Sequence, residues 1–433
     1  MKETSVKTVM HRIIMGLPLC AAAVAWGGTW EEEVAAFERF SDLAVKLPPV
    51  VRTTNIAAYS TNTLEFALNN GLAMTAKGRL WASWITGEDG PGSYTVANYS
   101  DDGGDTWSDV AFVIDGHGNV PTRGNVCGRT NIIGTFWLDP EGRFHVFTDQ
   151  SMLHLDGRAG IWDAIAIDPD GSPSKWGPAR RIGHGHLMNK PTVLSNGKCA
   201  VAGYLNESWT GRFSGFAGAF RSLDAERGST CYISANNGLT WEKRGTVPFP
   251  ANDWNETSIV ELKDGTLRMY ARVLVENRGR LMVADSKDEG RTWTKPYFLK
   301  SMDNTNSRCQ VRRLKSGRLL FVKHRKPEAD AKAWKDRDHL TAYLSDDDGA
   351  TWKGGLELYA GTASYPDVCQ GPDGTIYVSH DHDRGHAAEI WLHRFTEEDI
   401  LAGRIVSRNG RMNILIARAM SSEFNRRKNK ETK

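Results

Sequence analysis

The chain has 433 residues, 40% of them hydrophobic and 24% charged, with 54 Lys+Arg against 52 Asp+Glu for a formal net charge of +2. Those proportions fit a soluble globular protein with a sizeable core and exclude a disordered chain, a coiled coil and a polytopic membrane protein. So balanced a charge also excludes the strong basic field that a nucleic-acid partner requires. The 43 Gly and 15 Trp suggest many tight turns, each close to an aromatic plug, and hence short strands in a repeated all-β fold.

The chain opens with Lys2, Lys7, His11 and Arg12, followed by an apolar run from Ile13 to Trp26. Ala23 and Ala25 stand three and one residues before a cut after Ala25, so residues 1–25 read as a secretory signal peptide. The run is short for a membrane span, and the expected location after cleavage is secreted or periplasmic, with no span remaining. Bulky Leu19 before Cys20 argues against a lipoprotein. Cys127, Cys199, Cys231, Cys309 and Cys369 then remain, an odd number with no CxxC spacing. Neither a zinc site nor a disulfide framework follows, and small buried apolar residues are expected instead. Residues 26–50 form a separate segment, amphipathic from Thr29 to Leu47, with Thr29 and Glu32 placed for a capping box.

Residues 51–420 carry two repeats. The pattern Ser-x-Asp-x-Gly-x-Thr-Trp occurs at Ser100–Trp107, Ser286–Trp293 and Ser345–Trp352, and at Ser234–Trp241 with Asn236 replacing Asp. It describes a hairpin turn: the short acid or amide bonds local backbone N–H groups, Gly supplies positive φ, and Trp plugs the apolar side. A second turn ends in Gly78, Gly142, Gly197, Gly265, Gly317 and Gly374, each followed by an alternating strand, at intervals of 64, 55, 68, 52 and 57 residues. Six hairpins at that spacing predict an all-β, six-bladed propeller preceded by a short N-terminal helix. Trp176 marks a degenerate turn in the second blade. The sixth blade lacks the turn, and an N-terminal strand is expected to complete it. Thr396–Ala402 reads as a short helix or turn, and the basic stretch 421–433 as a disordered tail.

In a propeller the innermost strand of each blade faces the channel. Counting back nine residues from each hairpin glycine gives Asn69, Ile133, Met188, Glu256, Arg308 and Tyr365, which should share one height near one mouth. Histidines cluster at His184 and His186 and at His380-Asp381-His382-Asp383; strand alternation puts the latter histidines on one face and the acids on the other, which does not make a metal site. No phosphate loop, nucleophile elbow or dinucleotide fingerprint occurs, and no cofactor is expected.

The Asp-box turn and the repeat architecture resemble the sialidase (neuraminidase) superfamily. The turn alone is shared with non-enzymes, so function must rest on particular positions. The segments around Glu256 and Tyr365 are similar to those bearing the family's glutamate and its tyrosine nucleophile. Arg272 and Arg337 resemble its second and third carboxylate-binding arginines. The resemblance also places an acid/base aspartate at Asp89, with Glu88 as the adjacent competitor, and an arginine-orienting acid at Asp381. It implies a retaining exo-glycosidase acting on a glycan that ends in an acidic sugar. A tyrosine suits such a substrate because a carboxylate nucleophile would be repelled by the carboxylate on the anomeric carbon. The alternatives are a non-catalytic glycan-binding propeller and another carbohydrate-active enzyme, a uronate-directed hydrolase or a lyase. One position departs from the family: Asn69 stands where sialidases carry their first arginine. The expectation is that Arg308 supplies the third cation, and that common sialosides are poorer substrates than another acidic sugar.

Overall fold

The computed structural model describes residues 29–117, 129–152, 156–206, 219–250, 255–275, 278–325 and 337–422. The expected signal peptide, Cys127 and the tail from residue 423 lie outside the described residues. The six hairpin glycines all adopt positive φ, between 81° and 100°, the region an L side chain enters only with strain. Each turns an innermost strand back into the second strand of its blade. The result is six antiparallel sheets in chain order. The first runs Leu68–Met74, Leu80–Thr86, Tyr94–Ser100 and Phe112–Ile114, and the other five repeat it, ending with Ser364–Gln370, Ile376–His382, Glu389–Phe395 and Arg411–Arg418. In the second blade both edges are interrupted: Arg129–Thr130 and Thr135–Leu138 share one partner strand, as do Lys175–Trp176 and Arg180–Gly183.

The Asp-box works as a closed hydrogen-bond circuit. Asp102 accepts from the Ser100 hydroxyl (2.8 Å), the Thr106 amide (2.9 Å) and the Thr106 hydroxyl (2.6 Å), while Gly104 N donates to Ser100 Oγ. The same circuit recurs around Asp288 and Asp347. In the third blade Asn236 keeps it by donating to the Thr240 hydroxyl where an aspartate would accept. Each box tryptophan then packs between its own blade and the preceding one. Trp107 lies with Leu80 and Leu392, Trp241 with Trp137 and Tyr232, Trp293 with Ala200 and Met269, and Trp352 with Tyr270 and Phe321. Trp176 does the same between blades one and two, edge-on to Phe112.

The sixth blade is completed differently from the expectation. Its outer strand is C-terminal, Arg411–Arg418, pairing with Glu389–Phe395, rather than N-terminal. In place of a tryptophan, the helix Glu397–Ala402 inserts Ile400, with Ile405 and Met412, between blades five and six. A capping box from Thr396 and Asp399 starts that helix, and Gly403 ends it. The N-terminal region still closes the ring by backbone contacts: Met420 N donates to Thr61 O, Ser421 N to Leu64 O, and Ala67 N to Arg384 O. The expected N-terminal helix is present as Trp30–Ser41 and Leu43–Lys46 with the Thr29–Glu32 capping box, and it docks on the second blade through Gln150 and Trp162. Cys199, Cys231 and Cys309 are buried free thiols, and Cys369 is half-buried.

The box carboxylates make stability acid-sensitive. The threonine hydroxyl, then the threonine amide, hold Asp102, Asp288 and Asp347 down to about 2. A carboxylate whose folded value is depressed stabilises fully above its ordinary value, and that contribution is lost as pH falls through about 4 towards 2. Melting temperature measured from pH 5 to pH 2 should therefore fall more steeply for the wild type than for the triple variant Asp102→Asn, Asp288→Asn, Asp347→Asn, which copies the natural Asn236 box. Identical acid limbs would contradict this.

Candidate active site

Tyr365 sits at the start of the sixth blade's inner strand, where the pairing register slips between Ser364 and Asp367. Its φ of 50° is left-handed, which costs a non-glycine residue about 1–2 kcal/mol. Asn69 offsets this from the first blade, its Nδ2 donating to the Tyr365 carbonyl at 2.7 Å. The bulge re-aims the side chain, as bulges beside functional sites do. The phenol then donates to Glu256 Oε1 at 2.7 Å, from the fourth blade.

Arg272, on the next strand of the fourth blade, joins this pair, with Nη1 2.7 Å from Glu256 Oε1 and 3.2 Å from Tyr365 Oη. Its Nε donates to Asn306 Oδ1 at 2.7 Å, and the Asn306 carbonyl accepts from Arg337 at 3.0 and 3.2 Å. One asparagine thus fixes two arginines. Arg337 lies 5.6 Å from the Tyr365 ring centroid, and among the described residues its side chain donates to Asn306 O and Ser364 Oγ and to no carboxylate. Burial, then the charge of Arg384, push Arg337 down to about 10. Burial, then the charge of Glu256, push the Tyr365 phenol up, against the three arginines around it. The resting tyrosine is therefore protonated. Burial opposes the charge of Arg272, but Glu256 and Tyr365 outweigh it and raise its value.

Two residues here escaped the sequence reading. Asn306 precedes the inner-ring position Arg308 by two residues and carried no signal of its own. Arg384 follows Asp381 by three residues, an acid–base spacing that could have drawn notice; its guanidinium stacks 4.2 Å from the Tyr365 ring centroid, and its Nε donates to Asp381 Oδ1 at 3.0 Å. Asp381 Oδ2 accepts from the Asn69 amide at 3.0 Å. His380 and His382 both face Tyr359, at 4.9 and 5.3 Å between ring centroids, on one side of their strand.

Arg308 does not join the cluster. It shares the register of Tyr365 and Glu256, but its side chain is fully buried and braces the channel wall. Nε donates to Asn189 Oδ1, Nη1 to Asn70 O, and Nη2 to Met188 O and Asp367 Oδ1. A guanidinium held on three blades is not available to a ligand, so the expected role in carboxylate binding is corrected to a structural one.

Asp89 and Glu88 are exposed on the loop between the second and third strands of the first blade. Glu88 Oε1 accepts from Gly92 N at 2.6 Å and so shapes its own loop. Asp89 is close enough to Arg384 for its charge to help raise the arginine's value. His117 and Thr130 pin the loop by bonding Pro91 O at 2.6 and 3.2 Å. The Asp89 charge thus reaches an arginine of the tyrosine cluster.

This propeller, with its repeated Asp-box turns, defines a class. The chain belongs to the BNR repeat-like domain family, whose model matches residues 78–378, within the sialidase superfamily. It is 26% identical over 352 residues to a sialidase of Micromonospora viridifaciens, covering 72% of this chain and 49% of that one. It is 28% identical over 160 residues to a sialidase of Vibrio cholerae serotype O1, covering 32% and 20%. The chain thus spans half or less of the length of these curated relatives. Among solved structures it resembles an intramolecular trans-sialidase from Ruminococcus gnavus, with TM-score 0.58, 14% identity, and coverage of 79% of this chain and 97% of that one. It also resembles a protein of unknown function from Dyadobacter fermentans, with TM-score 0.52, 17% identity, and coverage of 77% and 95%. At such identities these structures speak for the fold alone.

Proposed function

We propose that the protein is an exported glycoside hydrolase that removes a terminal acidic sugar with retention of configuration. The observation that carries this reading is the 2.7 Å bond from the Tyr365 hydroxyl to Glu256, with Arg272 on both groups. The sialidase relatives support the reaction class. The basic start and apolar run of residues 1–25 support export.

In the first step Tyr365 Oη attacks the anomeric carbon and Glu256 takes its proton. Arg272 stabilises the developing phenolate at 3.2 Å. Asp89 gives its proton to the departing glycosidic oxygen. In the second step water attacks the same carbon and passes a proton to Asp89, and the released phenolate recovers its proton from Glu256. The atoms balance to one water consumed per bond cleaved. Arg272 and Arg337 bind the sugar carboxylate, a task for which the planar guanidinium is well shaped.

The test is a panel of aryl glycosides of acidic sugars, with NMR observation of the first anomer released. Retention with uptake of one water supports the reading. Inversion, a product lighter by one water, or binding without turnover would favour, in turn, another hydrolase, a lyase or a glycan-binding propeller. Within the panel, Asp89→Ala should slow substrates with poor leaving groups by about 10²–10⁴-fold and activated phenols far less, because a good leaving group needs little protonation. Equal losses on both would point instead to Glu88 as the acid or to a binding role for Asp89.

A further inference from the structure

The first-blade position that bears an arginine in the family holds Asn69, and Arg308 is committed to the channel wall, yet a third guanidinium stands in the pocket. We propose that Arg384, on the sixth blade, is the third carboxylate-binding cation of this site, and that Asn69 is the positioning residue that allows it. The inference rests on the acidic-sugar reading above and concerns which side chains hold the sugar's carboxylate.

Three observations converge. Arg272, Arg337 and Arg384 surround one phenol, at 3.2 Å from its oxygen and at 5.6 and 4.2 Å from its ring centroid. Among the described residues Arg384 donates Nε to Asp381, and its buried Nη2 meets no hydrogen-bond partner. A buried guanidinium N–H without an acceptor is costly, and a ligand carboxylate would supply one. Asp381 does not turn to satisfy it, because its second oxygen is held by the Asn69 amide.

Asn69 is therefore more than a missing cation. Its backbone fixes Asp381, its side chain fixes the strained Tyr365 carbonyl, and it is fully buried. An arginine there would lose the bond to Tyr365 and press a further cation against Arg384. The shortfall expected from Asn69 is made good by Arg384 on the neighbouring sixth blade.

The test compares binding of a 2,3-dehydro 2-keto-acid sugar and of its methyl ester by calorimetry. Wild type should prefer the acid. Arg384→Ala should weaken the acid about ten- to a hundredfold and the ester little, so that the preference collapses. Arg384→Lys, which keeps the charge beside Asp381, should recover part of it and serves if the alanine variant fails to fold. Asn69→Arg should weaken the acid rather than tighten it. Acid binding by folded Arg384→Ala within twofold of wild type, while Arg272→Ala loses it, would overturn this assignment and leave the proposed reaction standing. A wild type with no preference for the acid would overturn both.

Discussion

Tyr365→Phe is expected to lower kcat/KM by at least about 10³-fold on every substrate the wild type cleaves, activated phenyl glycosides included. The variant removes one oxygen and keeps the ring between Arg337 and Arg384, so the pocket retains its shape. Glu256 Oε1 keeps its 2.7 Å contact with Arg272, and the stability cost should be near 1 kcal/mol, the loss of one hydrogen bond. Binding of a carboxylate analogue should survive, since the arginines are untouched. Glu256→Gln should behave similarly, because an amide can meet the phenol but cannot take its proton. A fluorinated mechanism-based glycosyl donor should attach to the peptide containing Tyr365 in the wild type, as read by mass spectrometry. Label on another residue, or Tyr365→Phe activity within tenfold of wild type, would remove the tyrosine from the mechanism.

Arg308→Met is expected to lower unfolding free energy by about 3–5 kcal/mol, measured by denaturant titration, while the folded fraction keeps its affinity for an acidic sugar. The change takes the Arg308 donor from the carbonyl of Asn70 and one of two donors from that of Met188, which the Thr135 hydroxyl still serves, and takes one cation from Asp367. The lower end of the range is the better expectation, because Lys190 still holds Asp367 at 2.8 Å. The sequence reading implied a different pattern, loss of acidic-sugar binding. That pattern would restore Arg308 to the pocket.

These two residues mark the boundary between what a repeat reveals and what it conceals. Counting back from hairpin glycines put Tyr365, Glu256 and Arg308 in one register, yet Tyr365 meets Glu256 and Arg308 meets neither. Backbone position is periodic, because each blade repeats the same hairpin. Side-chain direction is not. The bulge at Tyr365 and the left-handed backbone there turn the phenol towards Glu256, whereas Arg308 follows a regular path into the wall. A count of residues carries no such information.

The Asp-box, the six hairpin turns, the capping box at Thr29 and the blade number follow from the amino-acid sequence by itself, because each depends on contacts within a few residues or on a spacing repeated along the chain. The tertiary structure alone decided the rest. The outer strand of the sixth blade and the Ile400 plug depend on how the ends of the ring meet. Asn69 reaches Tyr365 across 296 positions of sequence, and Arg308 reaches Asn70 across 238. Arg384 gains its place only where Asp381, Asn69 and Tyr365 come together. Long-range closure sets those meetings, and a buried charge takes its role from whichever partners the closed ring presents to it.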